Sequence, residues 1–211
     1  MTQHVYTRVA GFRLTVIPRA PFRIQRDDAA LNAIDVEYQA PGGPLFARLV
    51  PKDGGYTSKI DQSTRSLYDV LDIENGPDLD DWRLETSVFT CAWPHGYAVC
   101  SNNFPNDPGP FDLIGPNNEM IYIQTPRQLP ALKEMRAPNQ KVKHIEHRGE
   151  SGWIELEYTN DGEPWCQRHE IAALSNRRMV VTMQAPIRFS EPAAIAAVEI
   201  VKSLVFPANA R

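Results

Sequence analysis

The chain has few cysteines, no long apolar run and no phosphate-binding glycine motif, and each absence excludes a class of protein. Its three cysteines, Cys91, Cys100 and Cys166, are separated by 9 and 66 positions, a spacing that suits neither a disulfide framework nor a zinc knuckle. No run of 18 apolar residues occurs, so no membrane-spanning helix is predicted. We expect the cysteines to act as small reduced core residues.

The N-terminal and glycine-containing segments exclude two further classes. Residues 1–10 include polar side chains and Arg8 where a secretory signal needs an unbroken apolar core, so a cytoplasmic location is expected. The glycine pairs Gly42-Gly43 and Gly54-Gly55 lack the Lys-Ser/Thr continuation of a phosphate loop. Both pairs predict turns, and no cofactor is predicted.

What the sequence does contain is a globular composition with many short apolar patterns. Of its 211 residues, 42% are hydrophobic and 23% are charged. Alternating or apolar segments bounded by turn residues predict strands. In the first part of the chain these are Phe12–Ile17, Ala33–Tyr38, Leu45–Val50, Leu84–Ala92, Tyr97–Cys100 and Glu119–Gln124.

The last third of the chain has the most regular pattern. It predicts a meander of four strands. The second strand is followed by the hairpin signal Asn160-Asp161-Gly162, and the third by a turn at Ser175. The four strands are Lys141–Arg148, Trp153–Thr159, Cys166–Leu174 and Met179–Ala185.

Helical spacing occurs in three places. Ile60, Thr64, Leu67, Tyr68 and Leu71 fall on one face of a predicted helix. Leu129–Met135 predicts a short helix, and a C-terminal helix is capped by Ser190, with an apolar stripe at Ala194, Ala197, Val198, Val201 and Leu204.

These elements predict an α+β fold: a large, mainly antiparallel sheet with a C-terminal packing helix and two or three further helices. We expect a single domain spanning 1–211. A proline-rich acidic insertion lies within it at about 69–119.

Both ends of the chain resemble a known group of domains. The strand Arg178–Pro186, the helix that ends in Ile200–Leu204, and the opening strand Phe12–Ile17 followed by Pro18 are similar to the corresponding parts of Mog1/PsbP/DcrB-like domains. The resemblance implies an α/β/α-like sandwich. It also implies non-catalytic protein binding, including chaperones and adaptors of bacterial secretion systems.

Catalytic and metal-binding patterns are weak. His144 and His147 are three apart on a predicted strand, so they point to opposite faces and do not share a metal ion. His144 and Glu146 share a face, and the cross-strand candidates to join them are Glu155, Glu157 and His169. Cys166 and His169 are predicted on opposite faces, so no local catalytic dyad, no catalytic residue and no metal site is assigned.

The charge distribution is uneven along the chain. Residues 69–119 contain ten acids and one base, a net charge of −9, while the whole chain has −4, so the other 160 residues carry +5. Like charges at this density repel one another unless a partner neutralises them. Aromatic residues lie among these acids, and such residues supply binding energy in protein interfaces. The pI of about 5.7 argues against nucleic acid as the partner.

We therefore predict a non-catalytic protein-binding module, most specifically a cytoplasmic bacterial immunity protein that neutralises a secreted toxin. The partner is expected to be a basic toxin or effector, and no membrane is involved. The predicted partner-binding residues are Asp69, Asp72, Glu74, Asp78, Asp80, Asp81, Trp82, Glu85, Trp93 and Phe104. The alternatives are a secretion-system effector chaperone or adaptor, and a metal- or cysteine-dependent hydrolase.

Overall fold

The structure is a computed structural model, and it describes residues 7–9, 14–16, 22–27, 33–40, 43–52, 55–61, 71–73, 83–86, 88–100, 111–126, 128–174 and 177–206. The chain divides into two compact units. Unit 1 comprises Met1–Pro105 and Ser203–Arg211, and unit 2 comprises Asn106–Lys202. The predicted insertion at about 69–119 contributes residues to both units, and the single domain stays a prediction.

Unit 1 contains ten of the described strands: β1 (Thr7–Val9), β2 (Leu14–Val16), β3 (Phe22–Asp27), β4 (Ala33–Ala40), β5 (Gly43–Lys52), β6 (Gly55–Asp61), β7 (Leu71–Ile73), β8 (Arg83–Thr86), β9 (Thr90–Ala92) and β10 (Ala98–Cys100). One sheet has the order β7-β2-β1-β8-β9, and a second run of paired strands has the order β10-β3-β4-β5-β6. The recorded pairings are antiparallel.

Unit 2 contains six described strands: β11 (Asp112–Ile114), β12 (Met120–Gln124), β13 (Lys141–Arg148), β14 (Ser151–Asn160), β15 (Glu163–Leu174) and β16 (Arg177–Pro186). They pair antiparallel in the order β13-β14-β15-β16-β12-β11. Two short 3₁₀ helices, Leu132–Met135 and Ile187–Phe189, and the helix α1 (Ser190–Ser203) complete the described elements.

The meander β13–β16 confirms the sequence prediction almost residue for residue. The turn between β14 and β15 has two residues, Asp161 and Gly162, with φ of 50° and 82°. Both values lie in the left-handed region, as a type I′ hairpin turn requires, and Asn160 pairs with Glu163 across it. The Asn-Asp-Gly signal therefore determines the register of β14 and β15.

The two faces of this sheet have separate apolar groups. On one face Ile154, Leu156 and Ile171 pack with Leu132 of the first 3₁₀ helix. On the other face Ile121 of β12 lies opposite Met183 of β16, and both are buried. Unit 2 thus has apolar core on both sides of one antiparallel sheet.

The C-terminal helix forms as predicted, with Pro192 in its first turn. Its buried residues are Ala193, Ala196, Ala197 and Ile200, so the buried stripe is rotated by about one residue from the predicted one. A large antiparallel sheet with a C-terminal helix is confirmed, and the sandwich arrangement stays a prediction. No helix in the described part of the chain is long and apolar enough to cross a membrane.

The two or three further helices are not supported, because α1 is the one α-helix among the described residues. Leu129–Met135 contributes only a 3₁₀ turn. The predicted helix that starts at Ile60 is wrong at both ends, since Ile60 lies in β6 and Leu71 in β7. Its remaining members, Thr64, Leu67 and Tyr68, lie outside the described residues. Seven paired positions between β5 and β6 outweigh the helical spacing of Ile60.

The predicted strand Leu84–Ala92 is in fact two strands, because Thr86 forms a turn. Its Oγ1 accepts hydrogen bonds from the backbone N–H of Val88 and Phe89, at 3.1 and 3.0 Å, and donates to the carbonyl oxygen of Phe89 at 2.9 Å. Threonine hydroxyls compete with strand pairing in this way. The chain therefore reverses, and β8 pairs with β9.

Candidate functional site

Two of the predicted partner-binding acids lie in strands of unit 1, Asp72 in β7 and Glu85 in β8. Seven more of the predicted partner-binding residues fall on positions that the structure does not describe: Asp69, Glu74, Asp78, Asp80, Asp81, Trp82 and Phe104. Their roles stay predictions.

Strand register places Asp72 and Glu85 in one row across the five-stranded sheet. Asp72 is opposite Thr15, Thr15 is opposite Arg8, and Arg8 is opposite Glu85. The row therefore contains one base, Arg8, as well as the two acids.

Trp93 does not contribute to an exposed surface, contrary to the prediction. It is only 3% exposed, and its Nε1 donates a hydrogen bond to the carbonyl oxygen of Tyr97 at 2.7 Å. Phe89 and Phe111, which also lie among the acids in the sequence, are buried as well. These aromatic side chains form core, because their large apolar area is stabilising only when it is removed from water.

The charge asymmetry is concentrated in what we call the acidic segment, residues 69–85 of unit 1. It contains seven acids and one base, a net charge of −6, while the other residues of unit 1 carry +4. Three acids of the longer predicted stretch, Asp107, Asp112 and Glu119, belong to unit 2. Glu119 is buried there, so it is not part of an exposed acidic surface.

Of the residues weighed for a metal site, only His169 lies on a different face of the unit 2 sheet from the others, which are His144, Glu146, Glu155 and Glu157. His144 is opposite Glu155 and Glu146 is opposite Trp153, which places His144 and Glu146 on one face. His169 is opposite Ile154, on the other face. No group of three or more metal-ligating side chains occurs among the described residues.

His144 and Glu146 instead hold the indole ring of Trp153. The His144 ring stacks on it, with centroids 4.5 Å apart, and the Arg168 guanidinium lies 3.8 Å from its centroid. Glu146 accepts hydrogen bonds from Trp153 Nε1 at 3.0 Å and from Arg148 Nε at 2.6 Å. The bond from Arg148 lowers the pKa of Glu146. This cluster has a structural role in the sheet.

Cys166 and His169 are on opposite faces, as predicted. The pKa shifts of both side chains favour their neutral forms. Burial, with the carboxylates of Glu155 and Glu157, raises the pKa of Cys166 to about 12. Burial lowers the pKa of His169 to about 4, and its Nδ1 lies 2.8 Å from Thr182 Oγ1. A nucleophilic cysteine needs the opposite shift, toward the thiolate.

Sequence reasoning missed a cavity of about 540 Å³ in unit 2. Its floor is one face of the sheet, because Tyr158 of β14 is opposite Trp165 of β15, and Gln167 of β15 is opposite Gln184 of β16. Ile114 and Met120 continue the apolar part of the lining.

Amide side chains make up most of the rest of the cavity lining. They are Asn118, Asn139, Gln140, Asn160, Gln167 and Gln184. These residues come from separate strands, turns and loops, and no spacing in the sequence connects them. We call this site, with Tyr158 and Trp165, the amide cavity.

No protein-family model matches the chain, and no curated protein matches it. Among solved structures, the chain is similar to LpqN, described as involved in cell envelope biogenesis of Mycobacterium tuberculosis, with a TM-score of 0.30 and 13% sequence identity. That match covers 56% of this chain and 82% of LpqN. Likeness at this level supports no statement about function, and the resemblance to Mog1/PsbP/DcrB-like domains stays a prediction.

Proposed function

We propose that this protein is a non-catalytic binding module that docks a basic protein through its acidic segment, residues 69–85. The observation that carries the proposal is the charge of this segment, seven acids against one base. Strand register brings two of these acids, Asp72 and Glu85, into one row across a unit 1 sheet, a row that also contains Arg8.

Electrostatics supports a basic partner. The seven acids of the acidic segment repel one another, the one base offsets only part of that repulsion, and a cationic surface would relieve the rest. Complementary charge raises the association rate and rejects partners of the same sign. The acidic segment thus favours rapid and selective capture of a basic protein.

The most specific form of the proposal is a cytoplasmic immunity protein that neutralises a basic toxin. Blocking a toxin needs tight, fast binding and no chemistry from the inhibitor. The chaperone alternative requires an exposed apolar groove. The large apolar side chains exposed among the described residues, Phe46, Ile187, Ile195 and Val205, come from four different segments. The raised pKa of Cys166 argues against the cysteine hydrolase alternative.

The test compares two variants that remove the same charge from different places. Asp80→Asn/Asp81→Asn removes two negative charges from the acidic segment. Glu191→Gln/Glu199→Gln removes two from exposed positions on α1. Each tagged full-length chain is used to capture its partner from the native host, and association is then measured at low and high salt.

We expect a small basic partner that associates about tenfold more slowly with Asp80→Asn/Asp81→Asn at low salt, a difference that high salt removes. The α1 variant should associate like the wild type. Equal slowing by both variants, or a partner that is not basic, would overturn docking through the acidic segment.

The immunity form has a separate readout in cells. Expression of the captured partner should stop growth, and co-expression of the wild-type chain should restore it. Asp80→Asn/Asp81→Asn should restore growth less well than the α1 variant. A partner that is harmless when expressed alone would overturn the immunity form and leave the docking result standing.

A further inference from the structure

The amide cavity lies in unit 2 and is not used by the proposed function. Six amide side chains line it, and an amide group carries both N–H donors and a carbonyl acceptor. A hydroxyl group also both donates and accepts. A cavity lined in this way can therefore satisfy several hydroxyl groups of one ligand at once.

Two of the amides are held in place by the protein. Gln140 Oε1 accepts a hydrogen bond from the backbone N–H of Ala137 at 2.8 Å, and Gln140 Nε2 donates to Gln167 Oε1. Gln167 is 7% exposed, so its orientation is set by packing. Because Gln140 bonds to the Oε1 atom of Gln167, the Nε2 protons of Gln167 remain for a ligand. Preorganised polar groups reduce the entropy that binding costs.

Gln184 belongs to β16, which pairs with β15 on one side and β12 on the other, and it is directly opposite Gln167. Its side-chain amide makes no hydrogen bond to any residue in the described part of the chain. A half-buried amide without a protein partner retains its full capacity for hydrogen bonds to a ligand.

Two aromatic rings supply an apolar surface beside the amides. Tyr158 and Trp165 have ring centroids 6.3 Å apart, tilted by 39°, and both are half-buried. Burial raises the pKa of Tyr158, so its hydroxyl stays protonated and neutral at physiological pH. The C–H face of a ring-shaped polar ligand can pack on such a surface.

None of the described residues that line the cavity is charged. A charged ligand would therefore meet no opposite charge from the lining, whereas a neutral one needs none. The volume of about 540 Å³ is in the range of small-molecule sites. We propose that the amide cavity binds a neutral mono- or disaccharide, with hydroxyl groups on the amides and an apolar ring face against Trp165 and Tyr158.

An uncharged nucleoside is the competing ligand, because asparagine and glutamine also bond to adenine. One base edge, however, is satisfied by a single bidentate amide. Six amides around the cavity suit a ligand that carries hydroxyl groups on several sides. The saccharide therefore uses more of the lining than a nucleoside does.

The experiment is saturation-transfer difference NMR on the full-length protein. The neutral probes are glucose, galactose, N-acetylglucosamine, maltose and cellobiose, and the comparison probes are glucuronate, glucosamine and adenosine. Gln184→Leu removes the amide while keeping an apolar side chain of similar size. Asn139→Ala is a second variant at an exposed position, where folding is not at risk. The matched control is Gln124→Leu, on β12 of the same sheet but outside the cavity.

We expect at least one neutral sugar to receive saturation, with about tenfold weaker binding to Gln184→Leu and a smaller loss for Asn139→Ala. Gln124→Leu should bind like the wild type. No transfer to any neutral sugar would overturn the proposal. So would equal transfer to glucuronate or glucosamine, stronger transfer to adenosine, or binding that both cavity variants leave unchanged.

Discussion

The Glu119 carboxylate accepts a hydrogen bond from the backbone N–H of Asn117 at 2.7 Å and a second from its Nδ2 at 3.0 Å. Glu119 is 3% exposed, and its own carbonyl oxygen accepts from the N–H of Gly115 at 2.7 Å. The residue closes the turn between β11 and β12. A count of acidic residues along a chain therefore does not by itself locate an acidic surface.

Replacement of Glu119 by alanine should destabilise the protein without affecting partner capture. The substitution removes the buried acceptor of both hydrogen bonds from Asn117, and we expect the free energy of unfolding to fall by about 2 kcal/mol. Urea denaturation measures it. Glu150→Ala, at an exposed ion pair with Arg178, should change stability by less than about 0.5 kcal/mol. Equal effects of the two substitutions would contradict the structural role of Glu119.

The Thr86 turn predicts a second stability effect. Thr86→Val keeps the shape of the side chain but removes the hydroxyl that bonds to Val88 and Phe89. Since two backbone N–H groups lose their acceptor, we expect a loss of about 1–3 kcal/mol in thermal or urea unfolding. Thr159→Val, at an exposed position of β14, is the control and should be near neutral. A neutral Thr86→Val would show that the turn does not depend on the hydroxyl.

Stability should fall as the pH decreases from about 6.5 to about 4, because of His169. In the unfolded chain its pKa has the ordinary value of 6.5, while burial holds it at about 4 in the folded protein. The unfolded state therefore binds the proton first. The stabilising contribution is present above pH 6.5 and is lost as the pH falls through 4, and it is worth up to roughly 3 kcal/mol.

Urea denaturation at several pH values tests this prediction. His169→Gln, which keeps a polar group near Thr182, should flatten the stability profile between pH 6.5 and 4. His147→Gln, at an exposed position of β13, should retain the wild-type slope. A His169→Gln profile as steep as that of the wild type would assign the pH dependence to other groups.

The three thiols should differ in their reaction with an alkylating reagent. Cys91 has no exposed surface and Cys166 is 5% exposed, and burial raises the pKa of both. Cys100 is half-buried. Because the thiolate is the reactive form, Cys100 should be labelled first, and the other two should react only as the protein unfolds. Pulsed alkylation with mass spectrometry reads out each site, and fast labelling of Cys166 in the folded protein would contradict its burial.

The meander of unit 2 was predictable because local and tertiary preferences agree there. Strand β14 alternates half-buried and buried residues over positions 151–156, and the turn at Asp161-Gly162 carries a strong local signal. The helix predicted from Ile60 failed because apolar spacing alone does not distinguish a helical face from a strand within a hairpin. Likewise, the apolar run Leu84–Ala92 predicted one strand, because apolar spacing gives no indication of the turn that the Thr86 hydroxyl stabilises.

The candidate sites were less predictable than the fold. Net charge identified the acidic segment, but Trp93 and Glu119 are buried, because aromatic area and turn capping oppose exposure. The amide cavity left no signal in the sequence. Ile114 and Met120 reach the rest of the lining only when β12 pairs with β16, on the far side of the meander.

That pairing has a consequence for the order of folding. In the meander β13–β16, each strand pairs with its neighbour along the chain. These strands can therefore pair one after another across short turns, at a small cost in loop-closure entropy. Strand β12 must close a much longer loop to reach β16. The wall of the cavity at Met120 therefore forms in a late step, and a ligand bound there would slow unfolding by retaining the strand that leaves first.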